Sequence, residues 1–253
     1  MHEITVQRDV PYTGADDGPP QRLDVYAPAA DGPVPVVLLW HGLGPDEKDV
    51  MGALAERIAR EGLLVLVPDW RPDAPDGGRS HLLASLAHAR EHAAALGGDP
   101  ERLLLAGWSA GAGAAVSVAL HPEAVAGWRP AAVVAVAGRY DVPARTTGRP
   151  PLDSLTGTAA PDGPAVPVRL VHGDADEQVP AERSRELLRA LRERRRDAAL
   201  TVLPDTDHAG VVMAAYDPAL GKCRPSSSPE ATRAGHRVAA LCANTFRSSD
   251  RWV

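Results

Sequence analysis

The feature that most constrains the fold of this chain is a repeated alternation of short apolar runs with helical segments. Residues 34–40, Val-Pro-Val-Val-Leu-Leu-Trp, form a continuous apolar run, which is typical of a strand buried on both faces of a parallel sheet. Further strands are predicted at residues 4–10, 21–26, 63–68, 102–106, 131–137, 168–172 and 199–203. Helices are predicted at residues 46–60, 80–97, 110–120, 181–195 and 229–246, with Ser80 as an N-cap. This order predicts an α/β fold, a mostly parallel central sheet with helices on both faces.

The length of 253 residues suits one α/β domain over residues 1–253, without a large lid domain. The longest irregular connection is predicted at residues 142–166, which are rich in Pro, Gly and Thr. A connection of this length is either a short cap over a site or an irregular loop.

Charge and hydropathy exclude several classes of protein. With 27 Lys and Arg against 33 Asp and Glu, the net charge is −6, which argues against non-specific nucleic-acid binding. No run of about 18 apolar residues is present, so we expect no membrane span. The first residues lack the basic and apolar regions of a secretory signal, and we expect a cytoplasmic protein. Cys223 and Cys242 are then expected to be free thiols, with a bridge between them as the alternative.

Residues 107–111, Gly-Trp-Ser-Ala-Gly, match the pattern G-x-S-x-G between a predicted strand and a predicted helix. A serine exposed on such a tight turn needs unusual backbone angles and small neighbours, which Gly107 and Gly111 supply. Ser109 is therefore the candidate nucleophile. The N–H of Ala110, at the start of the following helix, is placed to meet developing negative charge.

A nucleophilic serine needs a base and a group that orients the base, in the chain order Ser, Asp, His for this arrangement. His208 follows the last predicted strand and is the candidate base, whereas His41 and His172 precede turn glycines. Asp176 is the preferred acid, because an acid must clear the end of its strand to reach the histidine. Asp174 and Asp207 remain as alternatives.

The second half of an oxyanion hole is predicted in the segment 40–44, Trp-His-Gly-Leu-Gly, directly after a buried strand. The N–H of Leu43 is the preferred donor and that of Gly42 the alternative, while His41 is expected to brace the loop.

Aromatic residues make up only 4% of the chain, so the position of each tryptophan is informative. Trp40, Trp70 and Trp108 all adjoin the carboxyl ends of predicted strands, where α/β sheets place their sites. They are candidate pocket residues, and at least Trp40 or Trp70 is expected to reach the pocket. Trp108 is expected to pack beneath the serine turn.

Two other motifs predict neither a metal nor a cofactor. Residues 88–92 match H-x-x-E-H, but no third acidic ligand follows, so a polar helix face is the preferred interpretation. Residues 111–113, Gly-Ala-Gly, lack the third glycine of a dinucleotide-binding loop because Val116 stands in its place.

The chain resembles the α/β-hydrolase superfamily, in particular its single-domain esterases of the feruloyl-esterase and kynurenine-formamidase types. The resemblance lies in four segments, namely 23–28 (Leu-Asp-Val-Tyr-Ala-Pro), 97–102 (Gly-Gly-Asp-Pro-Glu-Arg), 138–141 (Gly-Arg-Tyr-Asp) and the acid loop 173–180. The acid loop supports Asp176. Those relatives usually carry H-G-G, and Leu43 replaces the second glycine here, so the resemblance implies the fold and the triad but not the substrate.

These observations predict a cofactor-independent serine hydrolase that acts on small to medium carboxylic esters. Hydrolysis of an amide such as a formamide, hydrolysis of a thioester, and acyl transfer would use the same residues and stay as alternatives. A ligand-binding protein without turnover is the alternative from a different class.

Overall fold

One eight-stranded sheet forms the centre of the molecule. The computed structural model describes residues 2–13, 20–156 and 164–247. The strands of this sheet are β1 (Ile4–Pro11), β2 (Arg22–Pro28), β3 (Val34–Trp40), β4 (Leu64–Pro68), β5 (Gly98–Trp108), β6 (Ala132–Val136), β7 (Val168–Gly173) and β8 (Ala198–Leu203). Their spatial order is β1-β2-β4-β3-β5-β6-β7-β8. β1 and β2 are antiparallel to their neighbours, and all pairs from β4 to β8 are parallel.

In the described part of the chain, five α-helices cover the sheet, as the alternation in the sequence predicts. They are α1 (Gly52–Ala59), α2 (Arg79–His92), α3 (Ala110–Leu120), α4 (Glu182–Glu193) and α5 (Pro229–Arg247). Because successive strand residues point to opposite faces, Val36 and Leu38 belong to one apolar cluster and Val37 and Leu39 to another. The first cluster contains residues of α2, α3 and α4, and the second contains residues of α1 and α5. The predicted α/β architecture is therefore confirmed.

The start of α2 differs from the prediction. Ser80 is not the N-cap, because the helix begins at Arg79 after Gly78, whose φ of 84° lies in the left-handed region. The carboxylate of Asp76 accepts the N–H groups of Gly78 and Ser80, at 2.9 and 2.7 Å. Asp76 therefore does the capping that the sequence assigned to Ser80.

Two other helix boundaries also differ. α2 ends at His92, and a separate 3-10 turn follows before Gly97, whose φ is again 84°. The helix predicted from residue 46 begins as a 3-10 turn, Lys48–Met51, and becomes α-helical at Gly52. In both cases the apolar residues continue across the point where an α-helix and a 3-10 turn meet, so the sequence pattern does not mark the boundary.

A small hairpin follows the last strand of the main sheet and was not predicted. β9 (Ala214–Asp217) pairs with β10 (Lys222–Pro225) in an antiparallel two-stranded sheet. Of the connection predicted at 142–166, residues 157–163 lie outside the described residues, and the described part contains one 3-10 turn, Asp153–Leu155.

Two further sequence expectations concern membranes and cysteines. Among the described helices, none combines the length and the apolarity needed to cross a membrane. Cys223 and Cys242 are both free thiols, as predicted; Cys242 is buried and Cys223 is partly exposed.

Candidate active site

Ser109 lies on the sharp turn that joins β5 to α3. Its backbone has φ 56° and ψ −115°, a left-handed conformation that a residue with a side chain rarely adopts. The turn is held by a hydrogen bond from the Ser109 N–H to the Val136 carbonyl at 2.9 Å. This hydrogen bond helps to hold the strained backbone of Ser109, the residue whose hydroxyl faces the cavity.

The two glycines of the motif are required by close backbone contacts. A Cβ atom at Gly107 would lie 2.2 Å from the carbonyl carbon of Gly111. A Cβ atom at Gly111 would lie 2.5 Å from the carbonyl oxygen of Trp40. Since such distances are far below van der Waals contact, only glycine allows β3, β5 and α3 to approach each other this closely.

His208 and Asp176 form a buried hydrogen-bonded pair. His208 Nδ1 donates to Asp176 Oδ2 at 2.7 Å, and both side chains are almost fully buried. The other carboxylate oxygen of Asp176 accepts the N–H groups of Gln178 and Val179 at 3.0 and 2.8 Å. With Nδ1 engaged in this way, Nε2 has no hydrogen-bond partner among the described residues, and His208 lines the same cavity as Ser109.

The two alternative acids have other roles. Asp174 Oδ1 accepts the Asp205 N–H at 2.7 Å, and Asp207 Oδ1 accepts the Gly210 N–H at 2.6 Å. Both therefore stabilise turns rather than contact His208. Of the three candidates, Asp176 is the residue that the structure brings to the histidine.

His172 is a member of this site that the sequence did not indicate. It is fully buried at the end of β7, where Nε2 donates to the Val179 carbonyl at 2.7 Å and lies 3.3 Å from Asp176 Oδ2. Its Nδ1 lies 2.7 Å from Ser184 Oγ. The sequence places His172 before a turn glycine and gives no sign of its contact with Asp176. That contact arises because the acid loop folds back over the end of β7.

The electrostatics of Asp176 favour its charged form. Burial on its own would raise its pKa, but hydrogen bonds from His172, His208 and the Val179 N–H outweigh burial and hold the pKa well below the usual value. A carboxylate fixed in this state keeps the His208 proton on Nδ1 and leaves the Nε2 lone pair free.

The predicted oxyanion loop lies against the serine turn. A Cβ atom at Gly42 would be 3.5 Å from Ser109 Cβ and 3.1 Å from the Trp108 ring. Within the described residues, the backbone N–H groups of Gly42, Leu43 and Ala110 donate to no other atom. Leu43 is 53% exposed and lines the cavity, so its side chain forms part of the entrance.

His41 braces this loop, as expected. Its Nδ1 donates to the Gly42 carbonyl at 3.0 Å, its Nε2 accepts the Trp70 N–H at 3.1 Å, and its ring stacks on that of Trp70. Burial lowers the pKa of His41 to about 3, so the ring is neutral and can serve as donor and acceptor at once.

Trp40, Trp70 and Trp108 are not among the residues that line the cavity. Each buried indole N–H needs an acceptor inside the protein, and each of the three has one. Trp40 Nε1 donates to Ser85 Oγ at 3.0 Å, and Trp70 Nε1 donates to the His41 carbonyl at 3.3 Å. Trp108 packs under the site, as expected, and its Nε1 donates to the His208 carbonyl at 2.8 Å.

The site opens into a cavity of about 760 Å³ at the carboxyl ends of the parallel strands. The lining residues are Leu43, Asp76, Gly77, Arg79, Ser109, Ala110, Gly113, Arg139, Val142, Pro143, Ala144, Arg145, Gly148, Gln178, Val179 and His208. Part of the segment predicted as a cap or loop, residues 142–148, thus forms one wall. The three arginines of the cavity were missed, because no local pattern shows that residues 79, 139 and 145 line the same cavity.

No metal-binding arrangement is formed by the described residues, in which no three His, Cys, Asp or Glu side chains are grouped to hold an ion. In the H-x-x-E-H segment, the rings of His88 and His92 stack on each other with centroids 4.2 Å apart.

The fold and the turn at Ser109 are those of the α/β-hydrolase class. The model of an alpha/beta hydrolase fold family matches residues 78–222, and the chain belongs to this family. No curated protein matches the sequence. The resemblance to the feruloyl-esterase and kynurenine-formamidase types stays a prediction.

Solved structures of similar fold include three esterases. Thermogutta terrifontis esterase 2 has a TM-score of 0.72 and 17% identity, over 100% of this chain and 96% of that one. A Pyrobaculum calidifontis esterase has a TM-score of 0.67 and 19% identity, covering 97% and 86%. Carboxyl esterase 2 of Tuber melanosporum has a TM-score of 0.67 and 18% identity, covering 96% and 86%. The Thermogutta enzyme also has a structure in which it is phosphorylated by paraoxon.

Proposed function

We propose that this protein is a serine hydrolase that cleaves carboxylic esters of small to medium-sized molecules through an acyl-enzyme intermediate. The observation that carries the proposal is the arrangement of three side chains. Ser109 is presented on a strained turn, and His208, held by Asp176 at 2.7 Å, lines the same cavity. This set supplies a nucleophile, a base and a group that orients the base.

In the first half of the proposed reaction, Ser109 Oγ attacks the acyl carbon of the ester while its proton passes to His208 Nε2. The bond from the acyl carbon to the alcohol oxygen then breaks, and the alcohol leaves with the proton from His208. Asp176 stabilises the imidazolium ion that exists between these two transfers.

Negative charge develops on the acyl oxygen during this attack. The N–H groups of Ala110 and Leu43, which have no acceptor within the described residues, are the proposed donors, with Gly42 as the alternative. Ala110 is the first residue of α3, where the helix dipole adds to this stabilisation.

In the second half, water attacks the acyl-enzyme and its proton passes to His208 Nε2. Ser109 leaves with that proton and the carboxylic acid is released. The cavity of about 760 Å³ has room for a substrate of small to medium size. The names of the structural relatives are consistent with this chemistry, since all three are esterases.

The proposal is tested by hydrolysis of 4-nitrophenyl acetate and butyrate with the wild-type protein and with Ser109→Ala. We expect turnover by the wild type and a loss of at least about 10⁴-fold in kcat in the variant. Near-full activity of Ser109→Ala would exclude Ser109 as the nucleophile.

A covalent probe separates the nucleophile from turnover. Paraoxon should transfer its diethylphosphoryl group to Ser109 with release of 4-nitrophenolate, and peptide mass spectrometry should locate the group on residue 109. Ser117→Ala is the matched control, since Ser117 is a buried serine of α3 outside the cavity. Labelling of folded Ser109→Ala, or no labelling of the wild type, would contradict the proposal.

A further inference from the structure

The wall of the cavity is basic, although the chain as a whole is acidic. Among the residues that the structure describes, Arg79, Arg139 and Arg145 line it together with a single carboxylate, that of Asp76. The net charge of the chain is −6, so this grouping is not a consequence of overall composition. A ligand can pair only with those of the four side chains whose charge no neighbouring group already neutralises.

Arg139 is neutralised by a neighbour. Its Nε and Nη2 donate to the two carboxylate oxygens of Asp141 at 3.1 and 2.8 Å, which is the bidentate geometry of a strong ion pair. This arginine therefore has little capacity left for a ligand.

Asp76 is also engaged, but with backbone rather than with arginine. Its two oxygens accept the N–H groups of Gly78 and Ser80 at the start of α2. Within the described residues, no hydrogen bond or ion pair joins Asp76 to Arg79 or to Arg145.

Arg79 and Arg145 have no hydrogen-bond or ion-pair partner anywhere in the described part of the chain. The two lie on one wall, because a Cβ atom at Gly77 would be 2.9 Å from Arg145 Nη1, and Gly77 is two residues before Arg79. Arg145 is half-buried, so its charge is partly removed from water.

The charge of Arg79 interacts unfavourably with the dipole of α2. Arg79 is the first residue of α2, where the positive end of the helix dipole disfavours a cation. Its charge therefore does not stabilise the helix, and its exposed side chain lines the cavity. Counted over the described residues, the two guanidinium groups without a partner and the one carboxylate leave one excess positive charge at the cavity, which one carboxylate of a ligand would balance.

We propose that Arg79 and Arg145 bind a carboxylate group of the substrate, so that the esters cleaved at Ser109 carry a free carboxylate. The planar guanidinium fork matches the two oxygens of a carboxylate. This inference rests on the proposed function for the reaction at Ser109, but the binding of the anion can be measured without that reaction.

The first experiment compares matched pairs of esters that differ in one charge. One pair is mono-4-nitrophenyl glutarate and its neutral methyl ester, with the carboxylate on the acyl side. The other pair is 4-acetoxybenzoate and its methyl ester, with the carboxylate on the alcohol side. We expect kcat/KM for the charged member of one pair to exceed that of the neutral member by about 10-fold or more. Equal values in both pairs would overturn the inference.

The variants assign this preference to the two arginines. In Arg79→Gln/Arg145→Gln the preference should disappear, because KM for the charged ester should rise about 10-fold or more relative to KM for the neutral ester. Arg149→Gln is the matched control, because Arg149 is exposed on the same segment and is not among the cavity-lining residues. An equal loss for both members of each pair, or the same loss in the control, would contradict the assignment.

A binding measurement separates this inference from the proposed reaction. Titration calorimetry of Ser109→Ala with glutarate and with 4-hydroxybenzoate should show binding of at least one acid, weakened about 10-fold or more by the double arginine variant. If the wild type hydrolyses neutral esters but Ser109→Ala binds neither acid, the anion site is refuted and the esterase proposal stands. Arginine-dependent binding without hydrolysis of any ester would support the anion site and refute the esterase proposal. Binding that the arginine variants leave unchanged would overturn the anion site in either case.

Discussion

At the scale of single residues, the acid loop shows how two aspartates two positions apart acquire different roles. Asp176 contacts His208 and His172, whereas Asp174 accepts a backbone N–H from Asp205. The difference follows from the turn after β7, which directs Asp176 inward and Asp174 toward the next loop.

Asparagine substitutions should separate the two aspartates. Asp176→Asn should lower kcat for ester hydrolysis by about 10³- to 10⁴-fold, because a neutral amide neither fixes the His208 tautomer nor stabilises the imidazolium ion. Asp174→Asn keeps an acceptor for the Asp205 N–H and should retain near wild-type kcat. Steady-state kinetics of both variants checks this, and similar losses in the two would refute the assignment of the acid.

The neutral His41 ring should contribute to the acid sensitivity of the fold. Its pKa is lowered from 6.5 to about 3 by burial, so below pH 6.5 the unfolded chain binds a proton that the folded protein does not. Stability from this residue is therefore fully present above pH 6.5 and decreases as the pH falls toward 3. From pH 7 to pH 5 the free energy of unfolding should fall by about 2 kcal/mol through His41.

The comparison with His41→Gln isolates this effect, since glutamine keeps one donor and one acceptor but does not titrate. Burial raises the pKa of Asp69 to about 6, which changes stability with pH in the opposite direction, and this contribution is common to both proteins. Urea titrations at pH 5 and pH 7 measure the difference. The same pH dependence in both proteins would show that His41 does not titrate as described.

At the scale of elements, the turn between β5 and α3 depends on contacts that tolerate no added atom. Gly111→Ala would place a methyl group 2.5 Å from the Trp40 carbonyl oxygen. We expect a loss of about 3 kcal/mol in the free energy of unfolding, together with loss of activity as β3 moves away from the serine turn. Gly32→Ala is the control, because no atom lies within 4 Å of its Cβ position and its φ is not positive. Denaturant unfolding of both variants tests the contrast.

The elements that the sequence predicted correctly are those with a strong local pattern. The apolar runs of β3, β4 and β6 are short and rich in valine and leucine, which favours buried strands, and the motif at Ser109 specifies a strand, a turn and a helix together. The hairpin of β9 and β10 carries no apolar alternation, since most of its residues are exposed, and it was missed for that reason.

The site was predictable to the extent that its residues follow strand ends. Ser109, Asp176 and His208 each come directly after a parallel strand, and one edge of the sheet brings them together. His172 and the arginines of the cavity depend on how loops fold over that edge. The local sequence also does not reveal that the indole N–H groups of Trp40 and Trp70 bond to Ser85 and His41 in the interior.

At the scale of the whole molecule, the two faces of the sheet bury separate apolar clusters, and Cys242 lies in the one that contains α1 and α5. Its side chain is fully buried, and burial raises its pKa to about 12, so a reactive thiolate is scarce. We expect an aromatic disulfide reagent to titrate one thiol, Cys223, in the native protein and two in denaturant. The Cys223→Ser variant should react only after unfolding, and rapid reaction of that variant in its native state would contradict the buried position of Cys242.

The strand order has a consequence for how function is lost. β8 is the last strand of the sheet and is paired on one side by β7, while β5 is paired on both sides. His208 follows β8, so the proposed base depends on an edge strand and the proposed nucleophile on a central one. We expect hydrogen–deuterium exchange to be markedly faster in residues 198–203 than in residues 103–107, because local opening at an edge breaks fewer contacts. Equal protection of the two segments against exchange would contradict the expected difference between the edge strand and the central strand.

Local opening of β8 would detach the proposed base from the proposed nucleophile while the rest of the sheet stays folded. Mild denaturation should therefore inactivate the protein reversibly before it unfolds.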